Sequence, residues 1–352
     1  MSNQIRPVKV GNITLGIDPI SIQSMTNTKT VDIESTIKQT RSLFTSGADI
    51  VRISVPDLES VKAFRIIKEE IKLPLVADIH FDYKLAIASL EAGADKVRIN
   101  PGNIGSWDRV VKVFEVAKDL GRSVRVGVNS GSLEKNLKEK YQGVTAQALV
   151  ESALNYDKKL LDMGYNNFIM SIKSSDVLAT IKTNRSFREK SNTPLHLGVT
   201  EAGTYLAGTV KSSIGIGSLL LDGIGETFRV SLTADPVKEI DVAKLILRSL
   251  GIRQEGIEII SCPTCARTNG DLISIVTKLE EKLKGVKTHL KVAVMGCVVN
   301  GPGEAESADL GLALGNGKAV LFKQGKIIKT VTPDNYVQTI LQEIEDLARL
   351  DN

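Results

Sequence analysis

The sequence predicts an α/β chain: a TIM (β/α)8 barrel over residues 1–252, followed by a small α+β domain over 253–352. Three observations carry this. A chain of 352 residues, 42% of them hydrophobic, exceeds what one core usually supports and holds enough apolar material for two. Short β-rich runs recur every 25 to 30 residues or so, each followed by a segment of helical periodicity, the pattern of repeated βα units. After Gly251 that pattern stops and a different one begins.

Eight runs read as barrel strands: 20–25, 49–55, 74–80, 96–101, 123–129, 167–173, 194–200 and 227–233. Between them, stretches such as 57–70 and 145–163 carry apolar residues at helical spacing, so eight strands with intervening helices fit a barrel of ordinary length. The segment 8–16 reads as a short hairpin under the barrel, with Gly11-Asn12 as its turn. From Ile257 the order is strand, cysteine loop, helix over 272–283, strand over 291–295, second cysteine loop, a hairpin around Gly315-Asn316-Gly317 and Gly325, and a terminal helix over 335–349. A junction at about 253–256 contains no low-complexity linker.

Charge excludes some classes of function. The net charge of +4 among 24% charged residues is too small to argue for a nucleic-acid partner. Every long apolar run is broken by charge or Gly before about 18 residues, and the first residues lack an apolar signal core, so the expectation is a soluble cytoplasmic protein with no membrane segment.

Side chains alternate across a strand, so Lys96, Arg98 and Asn100 share one face while Val97 and Ile99 share the other. The same rule groups Arg125, Gly127 and Asn129, then Arg229, Ser231 and Thr233, with Arg52, Asp78, His80 and Lys173 at comparable points of their strands. Barrel interiors are ordinarily filled by Val, Ile and Leu, and an unpaired buried guanidinium costs several kcal/mol by rough estimate, so these cations call for anionic partners. A bound diphosphate is one answer; structural bridges to Asp78 or Glu201 are the other. The loop Pro101-Gly102-Asn103-Ile104-Gly105 offers backbone N–H groups that could meet phosphate oxygens.

The three cysteines, Cys262, Cys265 and Cys297, all lie in the last third. Three are too few and too unevenly placed for a disulfide framework. A redox pair would use only Cys262 and Cys265, and a zinc site would want a fourth ligand, for which His289 is the nearest histidine in sequence. An iron-sulfur cubane fits better, with Glu304, after the turn Gly301-Pro302-Gly303, as the fourth ligand. A barrel enzyme with a structural zinc domain and a non-enzymatic metal-dependent scaffold are the competing readings.

At these residues the chain closely resembles the bacterial 4-hydroxy-3-methylbut-2-en-1-yl diphosphate synthase family of the methylerythritol phosphate isoprenoid pathway. The resemblance spans the whole length. Its most specific pieces are Ser261-Cys-Pro-Thr-Cys-Ala-Arg267 and Gly296-Cys-Val-Val-Asn-Gly-Pro-Gly-Glu304. Supporting pieces include Leu75-Val-Ala-Asp-Ile-His80, Gly127-Val-Asn129, Gly198-Val-Thr-Glu-Ala-Gly203 and Arg229-Val-Ser231.

The resemblance implies two-electron reductive opening of 2-C-methyl-D-erythritol 2,4-cyclodiphosphate with loss of water. It implies a 4Fe-4S cluster on Cys262, Cys265, Cys297 and Glu304, the glutamate being displaced by substrate. The positions it implies for substrate are Arg52, Arg98, Asn100, Arg125, Asn129, Lys173, Arg229 and Ser231, with Asp78 and His80 nearby and Glu201 assisting protonation. Ferredoxin or flavodoxin is the implied electron donor, and a head-to-tail homodimer the implied assembly. Plant-type members carry a large domain between barrel and cluster domain for which this chain has no room.

Overall fold

The computed structural model describes residues 4–297 and 307–350. The chain divides into two compact units, the first ending at Arg253 and the second beginning at Gln254.

The first unit opens with a hairpin, β1 (Val8–Val10) and β2 (Ile13–Leu15), paired antiparallel around Gly11, whose φ of +59° suits a residue without a Cβ. Eight parallel strands follow: β3 (Ser21–Met25), β4 (Ile50–Ser54), β5 (Leu75–Asp78), β6 (Lys96–Ile99), β7 (Ser123–Asn129), β8 (Phe168–Lys173), β9 (His196–Leu197) and β10 (Thr227–Phe228). Each pairs with its neighbour in the order β8-β7-β6-β5-β4-β3-β10-β9, and a bridge from Met170 to Leu195 brings β8 beside β9 and rounds off the barrel. The helices between them are α1 (Ile33–Ser46), α2 (Leu58–Glu70), α3 (Tyr83–Glu91), the single turn α4 (Pro101–Ile104), α5 (Trp107–Asp119), α6 (Lys135–Lys140), α7 (Ala146–Asp162), α8 (Val177–Arg188), α9 (Tyr205–Leu221) and α10 (Pro236–Ser249).

The strand ends deliver helix starts. Asp32, Asp57, Asp176 and Asp235 each accept a backbone N–H in the first turn of the helix they precede, a cap worth about 1 kcal/mol apiece. On the strands, Val51, Ile53, Ala77, Val97, Ile99, Val124, Val126, Met170 and Ile172 face the helices in one large core. The opposite residues face inward. At the N-terminal end of the barrel the hairpin plugs it, with Val8, Val10 and Leu15 packed on Ile50, Val76 and Ile169. The expected hairpin is therefore found, closing the end remote from the βα loops.

Two expected strands are shorter than the alternation suggests. Within 194–200 and 227–233, only His196–Leu197 and Thr227–Phe228 form ladder pairs. Side-chain alternation continues past the point where backbone pairing stops, and a pattern of residue types registers only the former.

The second unit is a five-stranded mixed sheet in the order β11 (Ile257–Ser261), β12 (Leu290–Met295), β13 (Leu310–Gly315), β14 (Lys318–Lys323) and β15 (Lys326–Val331). The first three are parallel and the last two antiparallel. Helices α11 (Leu272–Lys282) and α12 (Tyr336–Leu350) supply Leu279, Ile340 and Ile344 to a core with Val292, Val294, Leu312 and Leu321. On the other face Phe322 lies over Gly311, where an added Cβ would stand 2.1 Å from its ring.

Candidate active site

The inward ring of the barrel is polar, as the alternation predicts. Arg52 on β4, Lys96 and Arg98 on β6, Arg125 on β7, Lys173 at the end of β8 and Arg229 just beyond β10 converge inside one unit, with Asp78 and Glu239 as the carboxylates among them. Lys96 and Arg125 are among the largest fully buried side chains, and Lys96 Nζ and Arg125 Nε and Nη1 have no hydrogen-bond partner among the described residues.

Asp78 is committed to its neighbours. Its Oδ1 accepts from Arg98 Nη1 at 3.1 Å and lies 3.8 Å from Arg52 Nη1, and its Oδ2 lies 3.3 Å from His80 Nε2. Burial alone would raise this carboxyl; Arg52, the His80 hydrogen bond, Arg98 and Arg125 together overcome that and hold it far below the usual carboxylate range. The structural-bridge reading thus holds for Asp78. It does not hold for Glu201, which makes no ion pair among the described residues; Arg229 pairs instead with Glu239 of α10, Nε to Oε2 and Nη2 to Oε1 both at 3.0 Å. Glu239 also accepts from Leu232 N, so it fixes Arg229 and the chain beyond β10 together.

Close approach is bought with missing Cβ atoms at two places. A Cβ at Gly198 would lie 2.6 Å from Lys173 Nζ, and one at Gly127 would lie 2.2 Å from Asn100 Oδ1 and 3.5 Å from Arg98 Nε. Asn100 is buried with its Oδ1 unpartnered among the described residues, Asn129 ends β7, and Ser231 lies two residues beyond Arg229. Glu201, in the loop after β9, is exposed and has φ +51°, a conformation costing a non-glycine residue about 1 kcal/mol or more. Pro101–Ile104 form a helical turn, and Gly102 packs so tightly on Ser132 that a Cβ would stand 2.3 Å from its carbonyl oxygen.

In the second unit, β11 and β12 are parallel neighbours, so the loops that follow them emerge at the same sheet end; one carries Cys262 and Cys265 and the other Cys297. Gly296 N donates to Cys262 Sγ at 3.2 Å, and Asn269 N donates to Gly296 O at 2.7 Å. A Cβ at Gly296 would meet Thr268 at 2.9 Å, so glycine lets the two loops close. Cys265 is exposed and Cys297 buried. Among the described residues no three His, Cys, Asp or Glu side chains already stand as a metal cage, and Glu304 lies outside the described residues.

His289, the zinc alternative, is at the wrong end. Its Nδ1 lies 3.2 Å from Gly256 O, just before β11 and β12 begin, roughly 16 Å of strand away from the cysteine loops. The donor set at the cysteine end is sulfur with a backbone N–H directed at it, which suits a cluster, and His289 is not placed to supply a fourth ligand to zinc there.

Comparison with known families matches residues 5–244 to the GcpE TIM-barrel domain and residues 258–346 to the GcpE protein C-terminal domain. The chain belongs to the GcpE family. Similar proteins named 4-hydroxy-3-methylbut-2-en-1-yl diphosphate synthase (flavodoxin) include one from Clostridium perfringens, 53% identical over 98% of this chain and 99% of that one. Another, from Caldanaerobacter subterraneus subsp. tengcongensis, is 51% identical over 99% of both chains, and one from Aquifex aeolicus is 51% identical over 98% of this chain and 97% of that one. Among solved structures, dihydropteroate synthase from Yersinia pestis aligns with 70% of this chain and 99% of its own at 12% identity and a TM-score of 0.49, too low to carry argument. No described helix is long and apolar enough to cross a membrane.

Within this GcpE family member, several inward groups carry no motif signal. Gln23, His196 and Thr227 are buried beneath the cationic ring with side-chain atoms lacking partners among the described residues. His196 is a lone histidine in a two-residue strand, and burial, then Arg125, Lys173, Lys96 and Arg52, push it well below its ordinary value. Burial and the neighbouring cations push Lys96 and Lys173 down likewise, and bring Arg52 to about 10. In the folded free chain these lysines and His196 therefore hold fewer protons than in the unfolded chain. Their unfavourable contribution is greatest below the folded values and fades as pH rises toward about 6.5 for His and about 10.4 for Lys. A bound polyanion reverses the shifts. Binding of inorganic diphosphate is expected to raise the proton affinity of these groups, seen calorimetrically as a buffer-dependent enthalpy once the diphosphate's own proton release is subtracted. No net proton uptake by the protein anywhere between about pH 6.5 and 10.4 would contradict the coupling.

Glu239 gives a second expectation. Glu239→Ala strips a part-buried guanidinium of its bidentate partner, and is expected to cost roughly 2 kcal/mol of stability and to weaken diphosphate binding. Urea denaturation of the barrel, read beside a diphosphate titration, checks both.

Proposed function

We infer that this protein reduces 2-C-methyl-D-erythritol 2,4-cyclodiphosphate to 4-hydroxy-3-methylbut-2-enyl diphosphate, an isoprenoid precursor. Two electrons and protons enter, the ring C–O bond opens, and one oxygen leaves as water. The observation that carries the reading on this chain is the ring of six inward cations, of which only Arg52, Arg98 and Arg229 form ion pairs among the described residues, and those with just two carboxylates, Asp78 and Glu239. A diphosphate supplies the missing charge.

Arg52, Arg98, Arg125, Lys173 and Arg229 hold the diphosphate oxygens, with Asn100, Asn129 and Ser231 as neutral hydrogen-bonding partners. Asp78 acts through the cations it orients, and His80, half-exposed beside it, faces the mouth of the barrel. Glu201, in no ion pair among the described residues and held at positive φ, is the group that gives a proton near the reacting carbons. Cys262, Cys265, Cys297 and Glu304 would hold a 4Fe-4S cluster, which when bound supplies electrons singly and an iron open to a substrate oxygen. Reduced flavodoxin is the donor we assign in preference to ferredoxin, because the similar proteins are named for it. We place the reaction in the cytoplasm, where thiolates stay reduced. A head-to-tail homodimer, pairing the cluster domain of one subunit with the barrel of its partner, completes the proposal.

The test is anaerobic purification, iron and sulfide assay, visible absorption, and turnover of the cyclic diphosphate with dithionite and a dye mediator. About four irons per chain and formation of the linear diphosphate are expected. Zinc in place of iron, and no turnover after iron-sulfur reconstitution, would overturn the reading.

A further inference from the structure

We propose that Met25 is a positioning residue of the cationic barrel mouth: its thioether sulfur accepts from Arg52 and Arg229 together and holds both guanidinium groups at one point without neutralising either. The proposal rests on the reading of this mouth as a diphosphate site.

Met25 is the last residue of β3, in register with Arg52 of β4. Ile22 joins the helix-facing core, so Gln23 and Met25 point inward by alternation. The sulfur lies 3.2 Å from Arg52 Nε, 3.0 Å from Arg52 Nη2 and 3.4 Å from Arg229 Nη1. Each guanidinium is also fixed from another side by a carboxylate, Arg52 by Asp78 at 3.8 Å and Arg229 by Glu239 at 3.0 Å. Between two like charges that repel, the sulfur is a contact that both share.

The residue type matters. A thioether is a weak, uncharged acceptor on an unbranched chain with three rotatable bonds, so it reaches between the two heads and leaves their charge intact. A leucine fills similar space and accepts nothing. A carboxylate at the same point would grip both arginines more firmly and cancel the charge a diphosphate needs.

Three variants of the full-length chain separate these roles: Met25→Leu, Met25→Gln and Met25→Glu, each titrated calorimetrically with inorganic diphosphate and melted alone. Met25→Leu is expected to weaken diphosphate about fivefold, one lost hydrogen bond's worth, and in turnover to raise KM more than it lowers kcat. Met25→Gln, an uncharged acceptor of similar length, is expected to recover most of that loss. Met25→Glu is expected to melt higher than Met25→Leu and to bind diphosphate more weakly than either. If Met25→Leu binds like the wild type, or Met25→Gln binds no better than Met25→Leu, the sulfur only fills space and the proposal is wrong. Failure of the wild type itself to bind diphosphate would instead bring down the diphosphate reading, and this proposal with it.

Discussion

Arg125→Met is expected to give a protein that resists urea better than the wild type and turns over almost no substrate. Arg125 sits in the middle of β7, in register with Arg98, and is 1% exposed. It has no carboxylate partner within ion-pair distance among the described residues, and its Nε and Nη1 lack hydrogen bonds there. Burial, then Arg52 and Arg98, push its pKa well below the ordinary arginine value, against a smaller pull from Asp78. A guanidinium does not give up its proton at any ordinary pH, so the free protein carries the charge at a cost. Methionine has a similar unbranched stem and no charge to desolvate. Replacing a buried, poorly paired ion by an apolar residue of like volume commonly stabilises a protein by about 1–3 kcal/mol. The same change removes a donor that the proposed function sets against a diphosphate oxygen, for which the expected loss is about 100- to 1,000-fold in rate. Equilibrium unfolding of the barrel in urea and turnover of the cyclic diphosphate measure the two effects. A variant that is less stable, or one that keeps its activity, would show that Arg125 serves the fold and not the ligand.

That opposition between stability and function is what makes much of the site legible in the amino-acid sequence. Polar residues at every second position of a barrel strand contradict the ordinary filling of a barrel, and Lys96, Arg98, Asn100 and Arg125 all stand inside as alternation requires. The cysteine loops are legible for a related reason: parallel neighbouring strands place their following loops together, so Cys262 Sγ meets the backbone beside Cys297 although 34 residues separate it from Gly296.

What the sequence does not reveal depends on contacts between distant elements. Nothing in the run Ala234-Asp-Pro-Val-Lys-Glu239 marks its glutamate as the partner of Arg229, whereas Glu201, at a strand end, is an equally good candidate by type. Met25 and His196 stand in short strands with no motif around them, and only the assembled barrel shows what faces them. Gly102 shows the limit in another way. A glycine after a strand can serve by its bare backbone or by its missing Cβ, and residue type does not show that Ser132 lies against the missing Cβ here. The ends of β9 and β10 fall short of the alternating pattern because pairing, which sequence periodicity does not encode, stops them.

Cys262→Ser is expected to abolish turnover and visible colour together while leaving the barrel untouched. Cys262 follows β11 and is half-buried, with Gly296 N donating to its sulfur, so this thiol is already oriented toward the loop that carries Cys297. Serine preserves the backbone, the approximate size and an acceptor for Gly296 N. It replaces a soft thiolate by a hard hydroxyl that stays protonated at neutral pH, a poor ligand for iron in a sulfide cluster. The expected result after anaerobic reconstitution is iron well below about four per chain, loss of the visible absorption, and activity down by about 1,000-fold or more, as expected when a redox group is lost. Because the cysteines belong to the second compact unit, diphosphate affinity measured by calorimetry should stay at the wild-type value. His289→Ala supplies the contrast. Its ring meets Gly256 O at the far end of the strands, and the variant should keep full colour and turnover. If His289→Ala loses metal while Cys262→Ser keeps it, the cysteine end is not the metal site and the reductase reading fails at its centre. If both variants keep iron, sulfide and activity, the cluster is held without Cys262, and the ligand set proposed for this chain is wrong even though the barrel chemistry stands.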